Sequence, residues 1–84
     1  MTASVPRLTV LARSYCHLCD DMIAALGQLQ GRYRFDIEVV DVDRHPELEE
    51  KWGEKVPVLL DGGQELCHYF LDLDVVDARL ARIK

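Results

Sequence analysis

No stretch of this chain approaches the ~18 consecutive apolar residues needed to span a bilayer, and Met1 to Pro6 is too short and too polar for a secretory signal. The sequence therefore reads as cytoplasmic. Cations are in short supply: ten Lys and Arg stand against 15 Asp and Glu, a formal net charge of −5. That is the wrong sign for holding phosphate backbones by counterion release, so nucleic acid is excluded as a partner. There is no internal repeat or low-complexity tract, and 49% hydrophobic residues leave no case for disorder. Cysteine is scarce and odd in number, three in all, which does not make the paired disulfide framework of a small secreted domain. The 84 residues suffice for one domain, residues 1–84, and a chain this size buries only roughly 60% of its unfolded surface.

What is present is a close thiol pair, Cys16-His17-Leu18-Cys19. In a reducing compartment such a pair serves catalysis or metal binding, because two thiols at i and i+3 can exchange a disulfide with another molecule or ligate one ion. Its setting matters: Leu8 to Ala12 is a short apolar strand, and Leu18, Met22, Ala25, Leu26 and Leu29 recur on one helical stripe. The first thiol thus stands where a strand gives way to a helix that Gly31 ends. Gly27 inside that helix costs about 1 kcal/mol against Ala, and a close helix–sheet contact would account for it.

Further along, Tyr33, Phe35, Ile37 and Val39 alternate with charged residues as in a half-buried strand. The phase slips at Val39-Val40, which predicts either a bulge or a strand buried on both faces. Asp43 or His45 caps a short helix with Pro46 in its first turn and Gly53 after Trp52. Val56 to Leu60, the turn Asp61-Gly62-Gly63, and Gln64 to Phe70 form an antiparallel hairpin. Leu73, Val76, Leu80 and Ile83 line the core face of a last helix, with Asp72 and Asp74 at its start and Arg82 and Lys84 at its end, as the helix dipole favours. The fold class is α/β, in the order β-α-β-α-β-β-α: a four-stranded mixed sheet with helices on both faces and a right-handed first crossover.

Ser14-Tyr15-Cys16-His17-Leu18-Cys19-Asp20, the stretch from Val40-Asp41-Val42-Asp43 through Pro46-Glu47-Leu48, and Val56-Pro57 before the third strand together resemble the thioredoxin-fold glutaredoxins, especially small glutaredoxin-like bacterial proteins. The resemblance covers nearly the whole chain. It implies a thiol-disulfide oxidoreductase acting on protein or glutathione mixed disulfides, with a cis Pro57 facing the dithiol. No bound cofactor is expected, and glutathione is a candidate co-substrate of what the resemblance implies is a monomer. The sequence departs from family members that bind glutathione tightly: where those carry Gly-Gly and an acidic residue before the last helix, this chain has Tyr69-Phe70-Leu71-Asp72.

Within that reading Cys16 is the nucleophile, because a helix N-terminus favours thiolate over thiol, and Cys19 is the resolving thiol. A cis Pro57 would turn the backbone of Val56 toward the dithiol, where it can pair with an extended substrate. Arg13 is either a contact for a glutathione carboxylate or a solvated surface residue; Tyr15 either lines the substrate groove or packs over the first strand. His17 adds positive charge near Cys16 when protonated or is merely an exposed helix-start residue, while Asp20 and Asp21 are helix-start charges. Trp52 and Cys67 read as packing residues. Two rival functions use the same cysteines: zinc or iron–sulfur binding through Cys16, Cys19, His17 and external ligands, and a non-catalytic redox-sensing module.

Overall fold

The structure, a computed structural model, describes residues 5–82; the rest of the leading segment read above, and Ile83 and Lys84, lie outside the described residues. The elements follow the order β1 (Arg7–Ala12), α1 (His17–Leu29), β2 (Asp36–Asp41), a 3-10 turn (Val42–Arg44), α2 (Pro46–Trp52), β3 (Val58–Asp61), β4 (Gln64–His68) and α3 (Leu73–Arg82). The strands form one sheet in the order β2-β1-β3-β4. β1 is parallel to β2 and antiparallel to β3, which is antiparallel to β4. This is the mixed sheet expected from the sequence.

Strand alternation divides the core between two faces. Leu8, Val10 and Ala12 of β1 and Leu59 of β3 meet Cys19, Met22, Leu26 and Leu29 of α1 and Val76 and Leu80 of α3. On the opposite face Leu11 and Val58 pack with Val42 beneath Leu48 and Trp52 of α2. The buried stripe of α1 includes Cys19 itself, so the second thiol is anchored by the same packing that holds the helix.

Several local expectations are corrected. β2 begins at Asp36 rather than Tyr33, because side chains take over the preceding connection: Tyr33 Oη donates to Asp77 Oδ1 at 2.8 Å and Gln30 Nε2 to the Phe35 carbonyl at 2.8 Å. The Val39-Val40 slip is no bulge, since the β1–β2 register runs unbroken from Arg7↔Asp36 to Ala12↔Asp41. Ile37 packs against one core cluster and Val40 against the other, so this edge strand serves both faces. A register shift occurs instead between Leu59 and Leu60 of the hairpin. β3 begins at Val58 rather than Val56, since Pro57 has no N–H to offer a ladder, and β4 stops at His68, beyond which Tyr69 turns to φ 65°. His45, not Asp43, takes the cap position of α2 and makes no side-chain cap bond; Asp41 Oδ1 accepts the Asp43 N–H at 2.9 Å and starts the unforeseen 3-10 turn. Gly27 makes no close helix–sheet contact, for a Cβ there would meet open space. Leu73 is exposed, and the buried stripe of α3 is Val76 and Leu80.

Gly53 is required for space. A Cβ at this buried position would lie 2.9 Å from Glu49 Oε2 and closer still to the Glu49 carbonyl oxygen. Gly53→Ala is expected to cost about 1–3 kcal/mol through this overlap. Thermal unfolding measures it: a melting temperature several degrees below wild type is the expected result, and an unchanged one would mean that the end of α2 yields freely.

Candidate dithiol site

Strand register brings the functional residues to one end of the sheet. β1 leaves the sheet at Ala12, next to Leu11, which pairs with Val58 of β3; Val58 in turn pairs with His68 of β4. The segment after β1, the segment before β3 and the segment after β4 therefore share an end, which gathers Tyr15 and Cys16, Val56 and Pro57, and Tyr69 and Phe70. α1 and α3 both start there.

Cys16 is the N-cap residue of α1, with extended backbone (φ −119°, ψ 104°), and its Sγ accepts the Cys19 N–H at 3.1 Å. A cap sulfur in this position receives unpaired helix N–H groups and the positive end of the helix dipole, which stabilise negative charge on it. Cys16 is half-buried, whereas Cys19, one turn on, is 1% exposed. The two are joined as a disulfide with Cα atoms 5.2 Å apart, within the range such a bond needs. The reachable sulfur and the covered one are thus already distinguished by burial.

The Val56–Pro57 peptide is cis. The Pro57 carbonyl accepts the Tyr69 N–H at 2.8 Å, and Tyr69 Oη donates to the Glu54 carbonyl at 2.9 Å. Tyr69 thereby ties the end of β4 to the loop before Pro57, a role that sequence alone did not disclose. Among the described residues the Val56 N–H and C=O make no backbone–backbone hydrogen bond, which leaves both free to pair.

Arg13 is partly exposed but not free. Its guanidinium donates to Asp43 Oδ1 at 2.7 Å, Glu49 Oε2 at 3.2 Å and the Gly53 carbonyl at 3.2 Å, and these carboxylates raise its already high pKa further. It clamps the end of β1 to the 3-10 turn and α2. Tyr15 is fully exposed and left-handed (φ 57°), a conformation costing a bulky residue on the order of 1–3 kcal/mol. His17, Asp20 and Asp21 are exposed at the start of α1. Trp52 is half-buried over Leu11 and Val58, with the Lys51 and Lys55 ammonium groups 5.1 and 5.7 Å from its ring centroid.

Cys67 packs against the first core cluster, and burial pushes its thiol above the ordinary cysteine value. The neighbouring His68 lies with Nδ1 2.6 Å from Glu65 Oε2. Among the described residues no group of three or more His, Cys, Asp or Glu side chains is arranged to hold a metal ion. Nor is any described helix long and apolar enough to cross a membrane.

Residues 7–81 match the family model described as glutaredoxin-like domain (DUF836). An uncharacterized protein of Mycobacterium tuberculosis is 30% identical over 84 residues, covering 94% of this chain and 87% of that protein. The solution structure of protein Ne2328 from Nitrosomonas europaea superposes with a TM-score of 0.85 at 41% identity, over 95% of this chain and 96% of that one. The holo form of glutaredoxin C1 from Populus tremula x tremuloides shares the fold, with a TM-score of 0.56 at 22% identity over 94% and 77% of the two chains. The thioredoxin-like fold and the spacing of Cys16 and Cys19 suggest a redox function.

Proposed function

This chain belongs to the glutaredoxin-like domain family (DUF836), and from that premise we propose that it is a thiol-disulfide oxidoreductase that reduces protein or glutathione mixed disulfides through Cys16 and Cys19. The observation that carries this reading is the arrangement of the two sulfurs: one half-exposed at the cap of α1, bonded to another that is buried one turn below.

In the reduced protein the Cys16 thiolate attacks one sulfur of the substrate R–S–S–R′. A Cys16–S–S–R bond forms, the substrate S–S bond breaks, and R′–S⁻ leaves to take a proton from water. The Cys19 thiol gives up its proton as it attacks Cys16 Sγ, which breaks the mixed disulfide and releases R–S⁻ for protonation. The substrate gains two electrons and two protons, and the protein is left with the Cys16–Cys19 disulfide. A thiol reductant, either a small monothiol or another dithiol protein, restores it by the same exchange in reverse.

Val56 offers its free N–H and C=O to an extended substrate segment, held in place by Pro57 and the Tyr69 bonds behind it. Tyr15 and His17 border the attacking sulfur. Arg13 is a positioning residue that fixes α2 against the end of β1. The protein acts as a monomer, in the cytoplasm, with no resident cofactor.

The test is turnover. With a low-molecular-weight thiol as reductant, wild type is expected to catalyse reduction of a peptide disulfide, and Cys16→Ser to fall to the uncatalysed rate. If wild type interconverts its own disulfide yet turns over no substrate with any thiol, the protein is a redox sensor and not an enzyme.

A further inference from the structure

The charge around the dithiol is unevenly placed. Asp20, Asp21, Asp41, Glu54, Asp72 and Asp74 all lie at the dithiol end of the sheet or on the elements that start there. Arg7, Arg32, Arg34 and Arg79 lie toward the opposite end: at the start of β1, between α1 and β2, and beyond the middle of α3. Of the cations that do belong to the dithiol end, Arg13 is already paired and the others lie toward α2. Arg13 is held by Asp43 and Glu49, Arg44 belongs to the 3-10 turn beside α2, and Lys51 and Lys55 flank Trp52.

Two depressions lie to either side of the dithiol in the sheet order, and carboxylates outnumber basic side chains in the lining of both. On the β2 side, a hollow of about 210 Å³ is bounded by Ser14, Cys19, Ile23 and Val39 with Asp20 and Asp41 at its rim, and by Arg13, whose guanidinium is paired with Asp43 and Glu49. On the β4 side, a groove of about 630 Å³ is bounded by Leu66, Phe70 and Leu73 with Asp72 and Asp74 beside them, its His68 paired with Glu65. Apolar surface accompanies the carboxylates: Tyr15 is fully exposed, Phe70 is 68% exposed, and Tyr69 is exposed as well.

From this we propose that the partner whose disulfide enters the site is a cationic polypeptide segment, with Lys or Arg flanking its cystine, and that the anionic tripeptide glutathione is the poorer substrate. The inference rests on the oxidoreductase reading and narrows it. A chain laid across Val56 in extended form projects residues into both depressions, where its basic side chains meet carboxylates and their aliphatic stems lie on Tyr15, Phe70 and Leu73. Glutathione carries two carboxylates, and the one guanidinium near the start of the site is already shared between two acidic residues of the protein. Complementary charge acts chiefly on the rate of encounter and is screened by salt, with a Debye length of about 10 Å at 0.1 M.

The experiment uses reduced wild-type protein in single turnover against three 2-pyridyl mixed disulfides: a Lys-flanked cysteine peptide, a Glu-flanked peptide of the same length, and glutathione. Release of 2-thiopyridone reports each rate, and every rate is divided by that with dithiothreitol, an uncharged thiol, to remove differences in intrinsic reactivity. The expected result is a normalised preference of about tenfold or more for the basic peptide over both others at low ionic strength. That preference collapses toward one at about 0.5 M salt and shrinks in the Asp20→Asn, Asp74→Asn double variant. A ratio near one at low salt, or faster reaction with glutathione, overturns the inference and leaves the oxidoreductase reading standing. Reaction with none of the three above the rate of Cys16→Ser removes the reading itself and the inference with it.

Discussion

Replacing Cys19 by serine is expected to turn a dithiol that clears its own intermediates into a trap. Cys16 would still attack, because the cap position and helix N–H groups that favour its thiolate are untouched, but nothing would remain to break the bond it forms. Reduction that depends on the second thiol should fall on the order of a hundredfold or more, while adducts of one protein to one substrate accumulate. Mass spectrometry of the variant incubated with a peptide disulfide reads both effects. Cys16→Ser should form no adduct at all, since Cys19 is 1% exposed and anchored among Met22 and Leu26. Adducts at Cys19 in that variant would reverse the assigned roles.

Leu26→Ala should produce the largest loss of stability of the substitutions considered. Leu26 is fully buried in the second half of α1, where it belongs to the cluster that joins the helix to β1, β3 and α3. Truncating such a leucine costs about 2–5 kcal/mol, the spread reflecting how far the surroundings collapse into the cavity. The whole domain of 84 residues holds on the order of 4–13 kcal/mol, so the variant gives up a large share of its margin. A drop of roughly 8–40 °C in melting temperature follows at about 4–8 °C per kcal/mol. Because α1 also carries both cysteines, its loosening should also speed alkylation of Cys19 in the reduced protein. A shift of only a few degrees would mean that the cluster repacks around the gap.

The residues whose roles were legible in the sequence are those whose signal is local. The i, i+3 spacing of Cys16 and Cys19, the apolar run of β1 and the Gly62-Gly63 turn each follow from a few neighbours, and together they determine the order of elements. What was not legible depends on partners far along the chain. Arg13 is three residues from Cys16 in sequence, yet its position is decided by Asp43, Glu49 and Gly53, which only the fold brings near. Tyr69 was absent from the candidate site because its hydrogen bonds reach Pro57 and Glu54 across the hairpin. Periodicity overextended the core to Leu73, because helical spacing cannot tell whether the first turn of a helix has sheet beneath it. The Gly27 contact failed for the same reason, since composition says nothing about what a missing Cβ would have met.

The proposed activity depends on a reachable, ionisable sulfur at the start of α1, and competitive alkylation of the fully reduced protein tests for it most directly. With limiting iodoacetamide at neutral pH and peptide mapping, Cys16 should be modified first, about tenfold or more ahead of Cys67, whose thiol burial holds above the ordinary value, and Cys19 should come last. Modification of Cys67 ahead of Cys16 would contradict it.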